Sequence, residues 1–106
     1  MESKLYLDYI GSIAYNPIHL VYYYNSNILI LRGQTTVDSQ VDFFINNVKA
    51  TQVTSGTDGS YIINHNLANG TYAIKVQQGG AAISFVLNVD NTSQSFPSFI
   101  KTLLGL

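Results

Sequence analysis

The residues in this chain with reactive side chains are few, and their spacing limits what they could do. It carries two histidines, His19 and His65, six acids, Glu2, Asp8, Asp38, Asp42, Asp58 and Asp90, and no cysteine. His19 lies inside an apolar run and His65 between Asn64 and Asn66, neither with an acid beside it. A metal site needs at least three convergent ligands, and this scattered pair offers no such group. Without thiolates, disulfides and sulfur-ligated metals are also closed off. The acids are dispersed, so a carboxylate pair for glycoside hydrolysis would have to be assembled by the fold. Asp58 and Asp90-Asn91 could lend oxygens to calcium, but no dense Asp/Asn cluster fills the shell that calcium takes. The expectation is no catalytic set, no metal and no cofactor, so the chain reads as a non-enzyme. Tyrosine is the remaining chemistry. Tyr22-Tyr23-Tyr24, with Tyr6, Tyr9 and Tyr15 ahead of it, is the densest aromatic region. Strand geometry turns at least one ring of the triplet to the face opposite its neighbours. An exposed ring there could stack on carbohydrate or meet a partner protein; the simpler reading packs Tyr22 and Tyr24 and partly covers Tyr23.

The elements that must position these residues read as strands. Residues 3–10 alternate weakly, with Leu5, Leu7 and Tyr9 on one side. After Asn16-Pro17, the run Ile18 to Tyr24 is β-branched and aromatic, and Ile28 to Arg32 is apolar on both faces, as an interior strand would be. Val41, Phe43 and Ile45 alternate with Asp42, although Phe44 breaks the pattern, and Asn46-Asn47 predicts a hairpin turn into Val48 to Val53. Asp58-Gly59 predicts another tight turn before a short strand at Tyr61 to Ile63. Leu67-Ala68-Asn69-Gly70-Thr71-Tyr72 then predicts a tyrosine corner: Gly70 takes a left-handed backbone, Tyr72 enters the core, and its hydroxyl reaches back to a backbone group, with Leu67 alongside. Tyr72, Ile74 and Val76 share one face, as do Ile83, Phe85, Leu87 and Val89 after a turn at residues 77–80. Short strands at roughly ten-residue spacing, with no helical period before residue 95, predict an all-β fold, an antiparallel β-sandwich of seven to eight strands. A parallel sheet would call for crossover helices, which the pattern lacks.

Composition narrows the partners. The 106 residues allow one domain. Only 10% are charged and 46% are hydrophobic, so Ser, Thr, Asn and Gln must wet the surface. Five basic residues against six acidic give a net charge of −1 with no basic run, which argues against nucleic acid or an anionic membrane as partner. The apolar runs are strand-sized, far short of a membrane span, and Asp8 interrupts the start before an export signal could form. Asn69-Gly70-Thr71 and Asn91-Thr92-Ser93 fit the glycosylation pattern and are read as chance in an Asn-rich chain.

The run Val41-Asp42-Phe43-Phe44-Ile45-Asn46-Asn47-Val48, with Thr57-Asp58-Gly59-Ser60-Tyr61, Leu67 to Tyr72 and Val86-Leu87-Asn88-Val89-Asp90, resembles the Ig-like, fibronectin type III-like modules of bacterial surface proteins and phage virions. The resemblance spans Gly33 to Asp90, a little over half the chain. It implies an Ig-like sandwich; adhesion, spacing, decoration and sugar binding all occur on such modules. The first 32 residues are longer and more aromatic than the pattern requires, and the Cys and Trp of antibody domains are missing.

The C-terminus departs furthest. The sandwich is expected over residues 1–94. Residues 95–106 form a short helical or extended apolar tail, in which Ser95 and Pro97 could open a helix and Phe96, Phe99, Ile100, Leu103 and Leu104 fall on one stripe, with Leu106 at the end. Burying several such side chains favours a cover strongly, at about 1.5–3 kcal/mol each. That cover is either the chain's own sandwich or another subunit, in a homo-oligomer or a hetero-assembly. The expectation is a non-enzymatic structural protein of a virion, such as a phage capsid decoration or a head or tail accessory. The alternative is a bacterial or archaeal cell-surface adhesion module that binds carbohydrate through Tyr22, Tyr23 or Tyr24.

Overall fold

Nine strands account for most of residues 4–91, which are the residues the computed structural model describes. In chain order they are β1 (Leu5–Ile10), β2 (Ile13–Ala14), β3 (Val21–Tyr24), β4 (Ile28–Thr35), β5 (Gln40–Ile45), β6 (Val48–Thr54), β7 (Ser60–Asn66), β8 (Gly70–Gln78) and β9 (Ala81–Val89). They form a four-stranded sheet in the order β2-β1-β4-β7 and a five-stranded sheet in the order β3-β9-β8-β5-β6. With β1, β4 and β7 in one layer and β5, β8 and β9 in the other, the arrangement is that of an Ig-like sandwich. The expected tail, residues 95–106, lies outside the described residues.

Strand alternation builds the core. Leu7, Ile10, Leu29, Leu31, Tyr61 and Ile63 from one sheet meet Val41, Phe43, Ile74, Val76, Phe85, Leu87 and Val89 from the other, and all are buried. The faces read from β8 and β9 are those observed. Asn46 and Asn47, with φ of 52° and 69°, make the two-residue turn between β5 and β6. At the next turn Asp58 accepts hydrogen bonds from the Ser60 N–H (3.0 Å) and hydroxyl (2.8 Å). These bonds hold its carboxyl below the usual carboxylate range, the backbone bond contributing most. Phe44, the break in the β5 pattern, follows a bulge and lies under the Lys75 ammonium, 4.5 Å from the ring centre.

Four departures from the sequence reading have physical causes. Tyr9 is half exposed, because the ladder between β1 and β4 slips at Asp8: Leu7 pairs with Gly33 but Tyr9 with Arg32. That bulge turns Tyr9 out and Ile10 in. The two residues of β2 add a small hairpin to β1, bringing the strands to nine rather than seven or eight. The sheet is not wholly antiparallel either, since β3 runs parallel to β9. No crossover helix is needed, because the two strands are far apart in the chain and the rest of the sandwich connects them. Finally, β4 continues past Gly33 to Thr35. At Gly33 a Cβ would collide with the Tyr6 carbonyl and sit 2.5 Å from the Tyr61 hydroxyl. Only glycine leaves room for the Tyr61 ring to cross β4 and donate its hydroxyl to the Tyr6 carbonyl, 2.8 Å away. Burial, and secondarily the charge of Asp8, pushes the Tyr61 hydroxyl well above its ordinary pKa.

Candidate functional site

The tyrosine triplet lies on β3, an edge strand of the five-stranded sheet. The strand is shorter than the apolar run that contains it. Asn16 folds the chain into a turn, its side chain accepting from the Ile18 N–H (3.0 Å) and its carbonyl from the His19 N–H (2.9 Å). The side chains of Ile18 and Leu20 are thereby left outside the sandwich, 80% and 68% exposed.

The three rings have three fates. Tyr22 is buried against Phe85, with ring centres 5.5 Å apart, and beside Tyr15 at 5.8 Å. Its hydroxyl donates to the Asn16 carbonyl (2.6 Å) and accepts from the Asn16 N–H (2.9 Å). Burial, then the proximity of Tyr22, pushes the Tyr15 hydroxyl up in pKa. Tyr24 is half-buried; it donates to the Ile28 carbonyl (2.9 Å) and lies against Gly11, where a Cβ would come within 2.6 Å of its ring. Tyr23 alone stands in solvent, 73% exposed. Shallow depressions flank it, one lined by Ile13, Tyr15, Pro17, His19 and Val21, the other by Ser12, Ile13, Asn25, Asn88 and Asp90.

The backbone of β3 adds a second feature. The Leu20 and Tyr24 carbonyls accept from the Val86 and Asp90 N–H groups at 2.8 and 2.9 Å. A parallel ladder alternates, so the peptide groups of Val21 and Tyr23 point away from β9, toward the open edge. On the outer face, beside Val21, a groove of about 310 Å³ runs between Leu20, Ala73, Lys75, Ser84 and Val86. From Tyr9 to Leu31 the sequence has no Asp, Glu, Lys or Arg, so β3 itself is uncharged, while Lys75 lines the groove and Asp90 the depression beside Tyr23. The missing charges are the one signal in the sequence that could have singled out Ile18, Leu20 and Val21 beside the tyrosines.

The other sequence-derived residues are dispersed. Tyr72 donates its hydroxyl to the Ala68 carbonyl (2.7 Å), the link a tyrosine corner makes, with Leu67 buried beside it. Gly70 has a φ of 156°, a positive angle that residues with a side chain rarely adopt, though not that of a left-handed helix. Next to the corner, Asn27 donates to the Leu67 carbonyl (2.7 Å) and to Asn69 Oδ1 (3.0 Å), which also accepts from the Asn91 N–H (3.1 Å). The Asn91 side chain closes the clasp on Asn27 Oδ1 (2.8 Å). His65 packs against Phe43 and His19 edges onto Tyr22. Among the described residues no three His, Asp or Glu side chains converge, and no helix is long and apolar enough to cross a membrane. Phe96, Phe99, Ile100, Leu103, Leu104 and Leu106, read as interface residues, lie outside the described residues.

No protein-family model and no curated protein matches the sequence. The fold has likenesses among solved structures. An FMN-binding β-glucuronidase from Facaelibacterium prausnitzii shares 10% identity over 90% of this chain and 13% of its own, with a TM-score of 0.60. A carbohydrate acetylesterase from Xanthomonas citri shares 15% over 84% of this chain and 19% of its own, with a TM-score of 0.55. A CARDB domain from Pyrococcus furiosus shares 13% over 67% of this chain and 86% of its own, with a TM-score of 0.44. The chain thus spans less than a fifth of the length of either enzyme it is similar to, and what it has in common with them is the β-sandwich fold.

Proposed function

We propose that this chain is a non-enzymatic attachment module, which binds other protein subunits of a larger assembly through the edge formed by β3. The observation that carries this reading is the uncharged open edge: outward peptide groups at Val21 and Tyr23, flanked by exposed Ile18, Leu20, Val21 and Tyr23. Soluble proteins ordinarily guard such an edge with charge, proline or a cover, and a contiguous apolar surface marks a contact site. The apolar residues Phe96, Phe99, Ile100, Leu103, Leu104 and Leu106 of the sequence are proposed as a second contact. A virus particle is the favoured assembly, on the resemblance of Gly33 to Asp90 to virion modules and on the scarcity of charge.

A second reading rests on Tyr23, whose exposed ring has Asn25, Asn88 and Asp90 nearby. An aromatic platform with polar neighbours suits a sugar ring, as a cell-surface module would need. Two measurements separate the readings. Imaging the native assembly purified through a tag on the full chain is expected to place β3 against a neighbouring subunit. Saturable binding on a glycan array, abolished by Tyr23→Ala, with β3 facing solvent in the imaged material, would overturn the attachment reading in favour of the second.

A further inference from the structure

Resting on the attachment reading, we infer that the partner strand for β3 is β3 of a second copy of this chain, paired antiparallel about a two-fold axis through Tyr22. Register follows from the outward peptide groups. An antiparallel pair exchanges both hydrogen bonds between residues whose N–H and C=O groups face each other. Setting Val21 opposite Tyr23 of the second copy, and Tyr23 opposite its Val21, uses all four outward groups on each side, so four backbone hydrogen bonds join the copies. Tyr22 then faces Tyr22 on the core side, and the two five-stranded sheets run on into one of ten.

Two observations favour a second copy over an unrelated chain. Like charges set directly opposite oppose strand pairing, and self-pairing is where they are hardest to avoid. From Tyr9 to Leu31 there are none, so the edge meets its own image without repulsion. The paired side chains, Val21 with Tyr23, are a β-branched and aromatic match of the kind that stabilises cross-strand contacts. The same patch serves both copies, as closed two-fold dimers require.

The test uses the full chain. Sedimentation is expected to show a dimer at micromolar concentration, with Val21→Lys/Tyr23→Lys weakening it at least about a hundredfold by setting like charges across the seam while the circular dichroism of the sandwich stays. The chain has no cysteine of its own, which permits a register test that works even if the lysine variant folds poorly. Opposed residues lie about 5.5 Å apart at Cα, within disulfide range. Mixing Val21→Cys with Tyr23→Cys chains is therefore expected to give the mixed disulfide at least tenfold faster than either variant alone gives its own. A chain that stays monomeric into the millimolar range overturns self-pairing and leaves attachment to a different subunit standing, which imaging of the assembly decides separately. A dimer indifferent to the lysines but lost on Leu103→Lys/Leu104→Lys overturns it in favour of the C-terminal stripe.

Discussion

The five-stranded sheet ends in two unlike strands. At one end, β6 is guarded: Lys49 pairs with Asp42 at 3.2 Å, Gln52 donates to the same carboxylate at 2.7 Å, and a bulge at Phe43/Phe44 twists the ladder that carries it. At the other, β3 has no charged residue on it and leaves Val21 and Tyr23 to solvent. Charge and irregular twist are standard means of blocking edge-to-edge association, so one end of this sheet carries such guards and the strand at the other end does not. The stability of the two ends comes from the same core, which is why their difference points to binding rather than folding.

The largest expected effect removes the platform that both edges share. Gly33→Ala drives a methyl into the Tyr6 carbonyl and the Tyr61 ring; a loss of about 3 kcal/mol or more is expected in chemical denaturation, with association lost in parallel. A Gly33→Ala protein of near-normal stability would show that Tyr61 does not fill the space as described. High pH acts on the same platform. Because folding raises the pKa of Tyr61 above its ordinary value near 10, the folded state holds that proton more tightly than the unfolded chain does. Its contribution is therefore complete below pH 10 and falls above it, by about 1.4 kcal/mol per pH unit until the folded group titrates. Tyr61→Phe should flatten that alkaline slope; an unchanged slope would assign the loss to other tyrosines.

Smaller changes separate the two ends. Tyr22→Phe removes the acceptor of the Asn16 N–H and one of the two donors to the Asn16 carbonyl, the His19 N–H remaining, and loosens the turn that holds Ile18 and Leu20 out. A loss of about 1–2 kcal/mol is expected, together with weaker association through β3 and no change at β6. Smallest in stability, under about 1 kcal/mol for so exposed an ion pair, is Lys49→Val. Yet it strips the guard from β6, and sedimentation should show species larger than those of the unaltered chain. If the size distribution does not change, charge is not what distinguishes the edges. Acid should act at the same place: Gln52 first, then Lys49, hold Asp42 below the usual carboxylate range. Its contribution is present above pH 4 and is lost as pH falls through the lowered value.

What could be read from the sequence was local. The corner is a bond between Tyr72 and Ala68, four residues apart, the β5–β6 turn is two adjacent asparagines, and the inward faces of β8 and β9 follow from alternation alone. What could not be read depended on distant partners. Nothing near Asp8 announces the slip that exposes Tyr9, because it arises where β1 meets β4. Pairing of β3 with β9 joins residues far apart in the chain, Val21 with Val86 for one, and it decides which peptide groups point to the edge. For the tyrosine triplet, alternation packs Tyr22 and Tyr24, as observed, but partly covers Tyr23, which is 73% exposed; the clamp that buries Tyr22 comes from Asn16, outside the strand.

Amide hydrogen exchange at Val21 and Tyr23, followed as the full chain is concentrated, tests most directly whether β3 is where other chains attach. Both amides are expected to exchange quickly in dilute solution and to become protected as association proceeds, while the outward amides of β6 remain fast throughout. Fast exchange at Val21 and Tyr23 in fully associated material would contradict the account.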